Sequence, residues 1–494
     1  MKTEDVTPTD TAGGTGHGPP APPDRTDDRA RRAGRADLIA AAAGVLLVTA
    51  AVVVGHVIQN RDGSLRAQWP PLLASWDPHL GPGTPAALVM AVLVIAYGPP
   101  LAARLPWRGL LAAAWAGSMA WVFSLALIDG WHRGVAKRLT TKHEYLRVID
   151  RFEDIPATLR DFTNHIVIGE PGNWPAHVAG HPPGATLTFV WLDRIGLGGG
   201  AWAALWCVVV GSSAVLAALI TVRVLADERL ARRAAPFLVL APAAVWAGVS
   251  ADGYFTAVAA WSVALLALAA TRRVRFPAVA ALGGGLLFGW TCYLSYGLGL
   301  MAAVLLAVLM LARTARPVPL FLLGALVAPV AFTLAGFNWW TAYHLLVERY
   351  YQGAGGVRPY GYWVWANLAC ATLAAGLAAV AGLRRSAVAG LAAVAGLRRS
   401  AVAAPGAVRA ALRRGPATAS PEGRLALLVL AALAALLAAD LSGMSKAETE
   451  RIWQPFLLWL LPAAALLPRR RVRYWLVASA VPALLINHLL WTGW

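Results

Sequence analysis

The chain has 494 residues, of which 58% are hydrophobic and only 14% charged, with a net charge of +18 and a mean hydropathy of +0.57. Soluble domains run closer to roughly 45–50% apolar and about 25% charged, which excludes a string of soluble domains as the main mass of the protein. The basic residues sit in short clusters between apolar runs, the pattern of membrane topology, so no nucleic-acid partner is expected.

Residues 1–36 are polar and rich in Pro, Gly, Asp and Thr, too poor in apolar surface to fold, and read as a disordered cytoplasmic tail. Arg31-Arg32 precedes the first apolar run, but that run is long and lacks a small-residue cleavage site, so it reads as an uncleaved anchor. The remainder, 37–494, reads as a single transmembrane domain. Charge-poor runs rich in Leu, Ala and Val occur near 37–57, 84–103, 109–128, 200–222, 234–250, 254–271, 276–293, 295–312, 318–337, 362–383, 424–441, 454–468 and 474–491. About 20 apolar residues cross the hydrocarbon core as a helix, where the backbone must satisfy its own hydrogen bonds. The expectation is an all-α, polytopic transmembrane helix bundle of about thirteen spans in the cell membrane. Arg104 and Arg108, Arg223 to Arg233, Arg272 to Arg275, Arg313 and Arg316, and Arg469 to Arg473 fall on one side. That side is expected to be cytoplasmic together with the N-terminus, which leaves the C-terminus extracytoplasmic.

The first large loop, 129–199, is assigned outside yet carries Arg133, Lys137, Arg138, Lys142, Arg147, Arg151 and Arg160. Two readings stay open: a surface for a phosphate-bearing lipid, or an amphipathic helix on anionic lipid. Phe152, Ile155, Leu159, Phe162 and Ile166 recur at three- and four-residue intervals, which predicts short amphipathic helices lying on the membrane. The loop is also dense in polar residues: Asp129 where the third span meets water, His143-Glu144-Tyr145, Asp150, His165, His177 and His181. It ends in His181-Pro182-Pro183-Gly184, where two prolines fix two φ angles and stiffen the turn into the next helix. The three histidines fit no strong zinc spacing, and no metal is expected.

Farther along come Leu240-Ala241-Pro242, Ser250-Ala251-Asp252-Gly253-Tyr254, and a glycine-rich stretch that leads to Ser295-Tyr296-Gly297. The stretch 338–361 is rich in Trp and Tyr, as an interfacial belt or an acceptor platform would be. LAAVAGLRRSAVAG at 377–390 recurs almost unchanged at 391–404, and 384–423 reads as a basic cytoplasmic linker expanded by duplication. The late loop 442–453 holds Lys446, Glu448, Glu450 and Arg451, charges that are expensive beside a bilayer unless paired or in water. Cys207, Cys292 and Cys370 lie in apolar segments and read as packing residues.

An acidic residue beside a His, an amphipathic loop and a His-Pro-Pro turn into a helix resemble the first extracytoplasmic loop of GT-C glycosyltransferases. The branch of protein O-mannosyltransferases and lipid A aminoarabinose transferases is the most similar, with an Asp-Glu pair and a Pro-Pro-Leu turn. Here His143 and Gly184 stand where the family has Asp and Leu, and the Lys of its later Lys-Thr pair is absent. Asp252 matches an outward-facing Asp of that family. The Ala-, Leu- and Arg-rich composition is similar to that of actinobacterial-type membrane proteins.

The resemblance implies transfer of a sugar from a polyprenyl-phosphate donor to an extracytoplasmic glycan or protein acceptor, with membrane lipid as a further partner and no other cofactor. Such a reaction needs a carboxylate base and cations for the leaving phosphate. The expected base is Glu144, with Asp129 and Asp150 in reserve. His181, Pro182, Pro183, Asp252, Tyr296, Lys446, Glu450 and Arg451 are the expected substrate-binding set. A transporter or lipid flippase, and a catalytically inactive scaffold, are the competing functions. Transporters carry ionisable groups near the midplane and repeats of helices, which this sequence lacks.

Overall fold

The computed structural model describes residues 25–402 and 420–492, so the expected tail up to residue 24 and the linker stretch 403–419 lie outside the described residues. The protein is a polytopic bundle of helices. Among the described residues nine helices are long and apolar enough to cross a membrane, from Arg31–Asp62 through Thr84–Arg104, Trp107–Asp129, Gly200–Leu225, Ala251–Thr271, Pro277–Leu294, Leu377–Ala395 and Pro421–Leu441 to Arg469–Leu489. Val318–Leu334 and Trp339–Gln352 form a further apolar pair bent by 79°, and Tyr296–Ala312 and Gln454–Leu466 are shorter apolar helices.

Three expected elements differ from the sequence reading. The first helix begins at Arg25 rather than 37, and Asp37 inside it is buried and takes Arg384 at 2.7 Å and Arg385 at 2.6 Å. The span expected at 234–250 is instead a helix, Glu228–Val239, that stops before Pro242, whose missing N–H and ring prevent continuation. The span expected at 362–383 is two helices, Tyr360–Ala375 and Leu377–Val402, broken at Gly376 with φ +81. Both run antiparallel to the first helix, since Tyr362 donates to the Ala51 carbonyl while Arg384 and Arg385 reach Asp37. The basic linker expected from 384 therefore starts as the end of this helix.

Hydrogen bonds sort the loops into two ends. At one end a two-stranded antiparallel ribbon pairs Ala74–Trp76 with Leu490–Thr492, and Arg138 donates to the Thr492 carbonyl at 2.9 Å. There Arg358 joins the loop after the first helix to the late loop, through the carbonyls of Leu65 and Lys446 at 3.1 and 2.7 Å. Arg349 ties the bent helix to the carbonyls of Ile166 and Trp174. At the other end Arg232 caps the carbonyls of Ala102 and Leu105, and Arg473 reaches that of Ala96. This second, basic end is expected to face the cytoplasm. An impermeant thiol reagent on intact cells should then label a Cys placed at Glu170 and spare one placed at Ser400, and equal labelling would refute that orientation.

The first large loop folds as short helices, with 3-10 turns at Tyr145–Phe152 and Phe162–His165 around the α-helix Ile155–Asp161. Its apolar face does not lie on lipid as expected. Phe152, Leu159, Phe162 and Ile166 are buried, and Phe162 packs 5.2 Å from Trp174 and 5.6 Å from Phe337, so the protein itself covers this face. The Pro-Pro turn then starts the helix Gly184–Arg194, with Pro183 at its N-cap. A Cβ on Gly184 would sit 2.6 Å from the Tyr293 carbonyl oxygen, which is why Gly stands where a Leu would not fit. Gly184→Ala is expected to lower stability by about 1–3 kcal/mol through overpacking, read as a fall in Tm of the purified protein; an unchanged Tm would show that the two helices can separate freely.

Candidate functional site

The site forms where helix ends and loops meet at the end of the bundle that carries the two-stranded ribbon. Ser250 caps the helix Ala251–Thr271 by accepting the Asp252 N–H, and its hydroxyl donates to the Asp252 carboxylate at 3.0 Å. This holds Asp252 toward the late loop, where Arg451 reaches it at 2.9 Å. The same guanidinium binds Glu448 at 2.9 Å, and Glu448 lies 3.9 Å from Arg358. Two successive residues without special backbone freedom, Ala447 and Glu448, adopt φ +73 and +62 to bring this about. A left-handed non-glycine residue costs roughly 1–2 kcal/mol, and such strain persists where surrounding contacts over-determine it. Burial opposes the charge on Glu448, but Arg451 and Arg358 prevail and hold its carboxyl below the usual range.

Across from this group, Glu144 is buried and pairs with His177 Nδ1 at 3.0 Å. His177 is held in turn by its own N–H, which donates to the His143 carbonyl. Tyr145 lies 3.1 Å from His181 Nδ1 through its hydroxyl and stacks on Phe189. Burial pushes the His181 pKa down, against the opposing pull of Asp252, which favours the neutral imidazole. A neutral ring, fixed by the stiff Pro-Pro turn, positions Tyr145 without adding charge.

These two groups meet at a small cavity of about 10 Å³, lined by Arg138, Leu139, Glu144, Tyr145, Val249, Ser250, Ala251 and Arg451. Arg138 is buried and contacts Asp129 at 3.1 Å, and burial lowers its pKa to about 10. Asp129 also meets His79 at 3.1 Å and Arg133 at 3.6 Å. Arg133 and Arg138 stack over Trp491 from the C-terminal strand. Glu144, Arg138 and Arg451 thus line one small space, with Glu144 near enough to favour the charge on Arg451. The arrangement suits removal of a proton beside a developing anion.

The expected residues are not all gathered there. Glu144 and Arg451 line the cavity, and Asp252 and His181 each bind a residue that does. Asp129 acts on it only through Arg138. Asp150 is exposed on the 3-10 helix Tyr145–Phe152. Pro182 and Pro183 shape the turn and do not line the cavity. Tyr296 packs between Trp339 and Tyr343, outside it. Lys446 donates to the Gly355 carbonyl at 2.8 Å and sits over Tyr351, where burial and Arg358 lower its pKa. His177, Glu448, Arg138 and Arg358 join the site without having been assigned to it from sequence. Among the described residues no group of three or more His, Cys, Asp or Glu is placed to hold a metal ion.

Glu450 does not line the cavity. It is fully buried, and beyond its own N–H and the Cys370 thiol its carboxyl oxygens have no hydrogen-bond partner among the described residues. Burial raises its pKa from 4.5 to about 7. A carboxyl raised in the folded state contributes stability that is complete below the unfolded value and lost as pH climbs through the folded one. Stability should therefore fall between pH 4.5 and about 7. Glu450→Gln should flatten that slope and gain about 3 kcal/mol at pH 8; a variant whose thermal stability keeps the wild-type pH profile would contradict this.

No family model matches the chain, and no curated protein matches it. Two solved structures of an oligosaccharyltransferase from Archaeoglobus fulgidus align with part of the chain. The complex with Zn and sulfate aligns at TM-score 0.43 and 14% identity, over 77% of this chain and 52% of that one. The apo form aligns at TM-score 0.39 and 13% identity, over 81% and 55%. The chain thus spans about half the length of the protein it matches.

Proposed function

We propose that this protein is a membrane glycosyltransferase of the GT-C type, which moves a sugar from a polyprenyl-phosphate donor to a hydroxyl of a glycan or protein outside the cytoplasm. The observation that supports the reading is the small cavity, at one end of the spans, that Glu144, Arg138 and Arg451 line together. The GT-C-like His-Pro-Pro turn supports it by fixing His181 and, through it, Tyr145 at the same place.

In this scheme Glu144 takes the proton of the acceptor hydroxyl, and the freed oxygen pair attacks the anomeric carbon. The bond from that carbon to the phosphate oxygen breaks, and the electron pair leaves with polyprenyl phosphate. Arg451 and Arg138 offset the charge that grows on this leaving group. His177 holds the Glu144 carboxylate in place, and Asp252 and Glu448 hold the Arg451 guanidinium. Catalytic hydrogen bonds often tighten only with substrate bound, so donor entry is expected to draw Arg451 partly from Glu448. The transporter reading has less support, since the charged groups of this site lie at helix ends and in loops rather than midway along a span.

The test is release of polyprenyl phosphate by the purified full chain, offered a panel of polyprenyl-phosphate sugars and a crude membrane acceptor. Release that depends on acceptor supports the reading. Donor or lipid movement across the bilayer of vesicles, with no bond broken, would replace it with transport.

A further inference from the structure

A second cavity opens at the opposite, basic end, far from the chemistry proposed above. Its volume is about 450 Å³, and Arg229, Arg232, Arg233 and Arg469 form its polar part, while Pro236 and Phe237 stand among its apolar walls. Ligand pockets run roughly 300–1,000 Å³, so the space falls within the range that holds a small polar headgroup. It lies where the span Thr84–Arg104 ends and the span Arg469–Leu489 begins, at the depth of a bilayer surface. Leu101 and Tyr474 on those same helices are exposed, which puts the cavity on a flank that lipid contacts.

The four arginines differ in what they already hold. Arg232 is fully engaged by Glu228 and by the carbonyls of Ala102 and Leu105. Arg229 pairs with Glu422. Arg233 donates only to the Leu467 carbonyl, and neither Arg233 nor Arg469 has a carboxylate at ion-pair distance among the described residues. Burial, with Arg469 and Arg229 nearby, outweighs Glu422 and holds the Arg233 guanidinium below its usual pKa. Two unmatched guanidiniums over apolar walls want an anion that is itself attached to something apolar.

We infer that this cavity binds the phosphate of an anionic phospholipid, with Arg233 and Arg469 on the phosphate and the acyl chains against Phe237 and the adjoining helix flank. Phosphate is the shared chemistry of a lipid headgroup and of free inorganic phosphate, and the apolar walls select the lipid. The inference stands independently of the sugar-transfer reading.

The test titrates the purified full chain with short-chain phosphatidylglycerol, short-chain phosphatidylcholine and inorganic phosphate, read by thermal shift and by native mass spectrometry. Phosphatidylglycerol should raise Tm and remain as an adduct, while the other two should do neither. Arg469→Gln removes an exposed cation, so the fold is kept, and should weaken phosphatidylglycerol binding about fivefold. Adding Arg233→Gln should bring the loss to about thirtyfold. Arg273→Gln, an exposed arginine at the same end but outside the cavity, should bind as wild type. Equal response to the two lipids, a matching response to inorganic phosphate, or wild-type binding in both Arg469 variants would overturn the inference.

Discussion

Glu144→Gln is expected to lower turnover of a polyprenyl-phosphate sugar by about a hundredfold or more, the range in which a general base contributes. The substitution keeps shape and keeps an oxygen to accept from His177 Nδ1, which lies 3.0 Å from the carboxylate. Folding and donor affinity should therefore survive, and the loss should fall on kcat rather than KM. Asp150→Asn provides the contrast, since Asp150 is exposed and should turn over as wild type. Asp129→Asn should act indirectly, through the Arg138 that it holds at 3.1 Å. Full activity in Glu144→Gln with none in Asp129→Asn would move the base to Asp129.

Arg451→Met should cost stability as well as activity. It leaves Asp252 and Glu448, each 2.9 Å from the lost guanidinium, facing one another in a largely buried place. Removing one partner of a buried ion pair typically costs about 3–5 kcal/mol, because the remaining charge is stranded. The partner at risk is chiefly Asp252, as Glu448 retains Arg358 at 3.9 Å. Adding Asp252→Asn to Arg451→Met should thus restore a good part of the lost Tm without restoring turnover. A single variant as stable as wild type would mean that the pair is not buried in the working protein.

Much of this site was legible in the sequence, and the reasons differ by residue. Glu144 and His181 stood out because the Pro182-Pro183 turn is stiff and polar residues crowd that loop. Arg451 stood out because charge between two apolar runs is costly unless it has a partner. Which residue pairs with which was not legible. Asp252 lies on another helix, and only packing brings it to Arg451. Arg358 and His177 look ordinary in sequence, since their roles come from carbonyls and a carboxylate that other loops deliver. Lys446 misled for the same reason, its charge being spent on the Gly355 carbonyl.

The bundle was legible to a similar degree. Apolar runs located most spans within a few residues, because hydropathy responds to the same burial in lipid that the fold requires. It does not register backbone limits inside a run. Pro242 ends a helix within the run expected to span 234–250, and Gly376 breaks the run at 362–383. The apolar stripe from Phe152 to Ile166 was read correctly as one face and assigned to the wrong cover, since periodicity does not distinguish a lipid surface from Trp174 and Phe337.

The central claim is that one cavity holds both the base and the phosphate clamp. Its most direct test is a structure of the full chain in lipid nanodiscs with an unreactive polyprenyl-phosphate analogue bound. The account predicts phosphate density within about 3 Å of the Arg451 or Arg138 guanidinium nitrogens, the spacing of a charge-assisted hydrogen bond, with the Glu144 carboxylate facing the carbon that would carry the sugar. Phosphate seated elsewhere, with Arg451 still closed on Asp252 and Glu448 and Glu144 turned away, would contradict it.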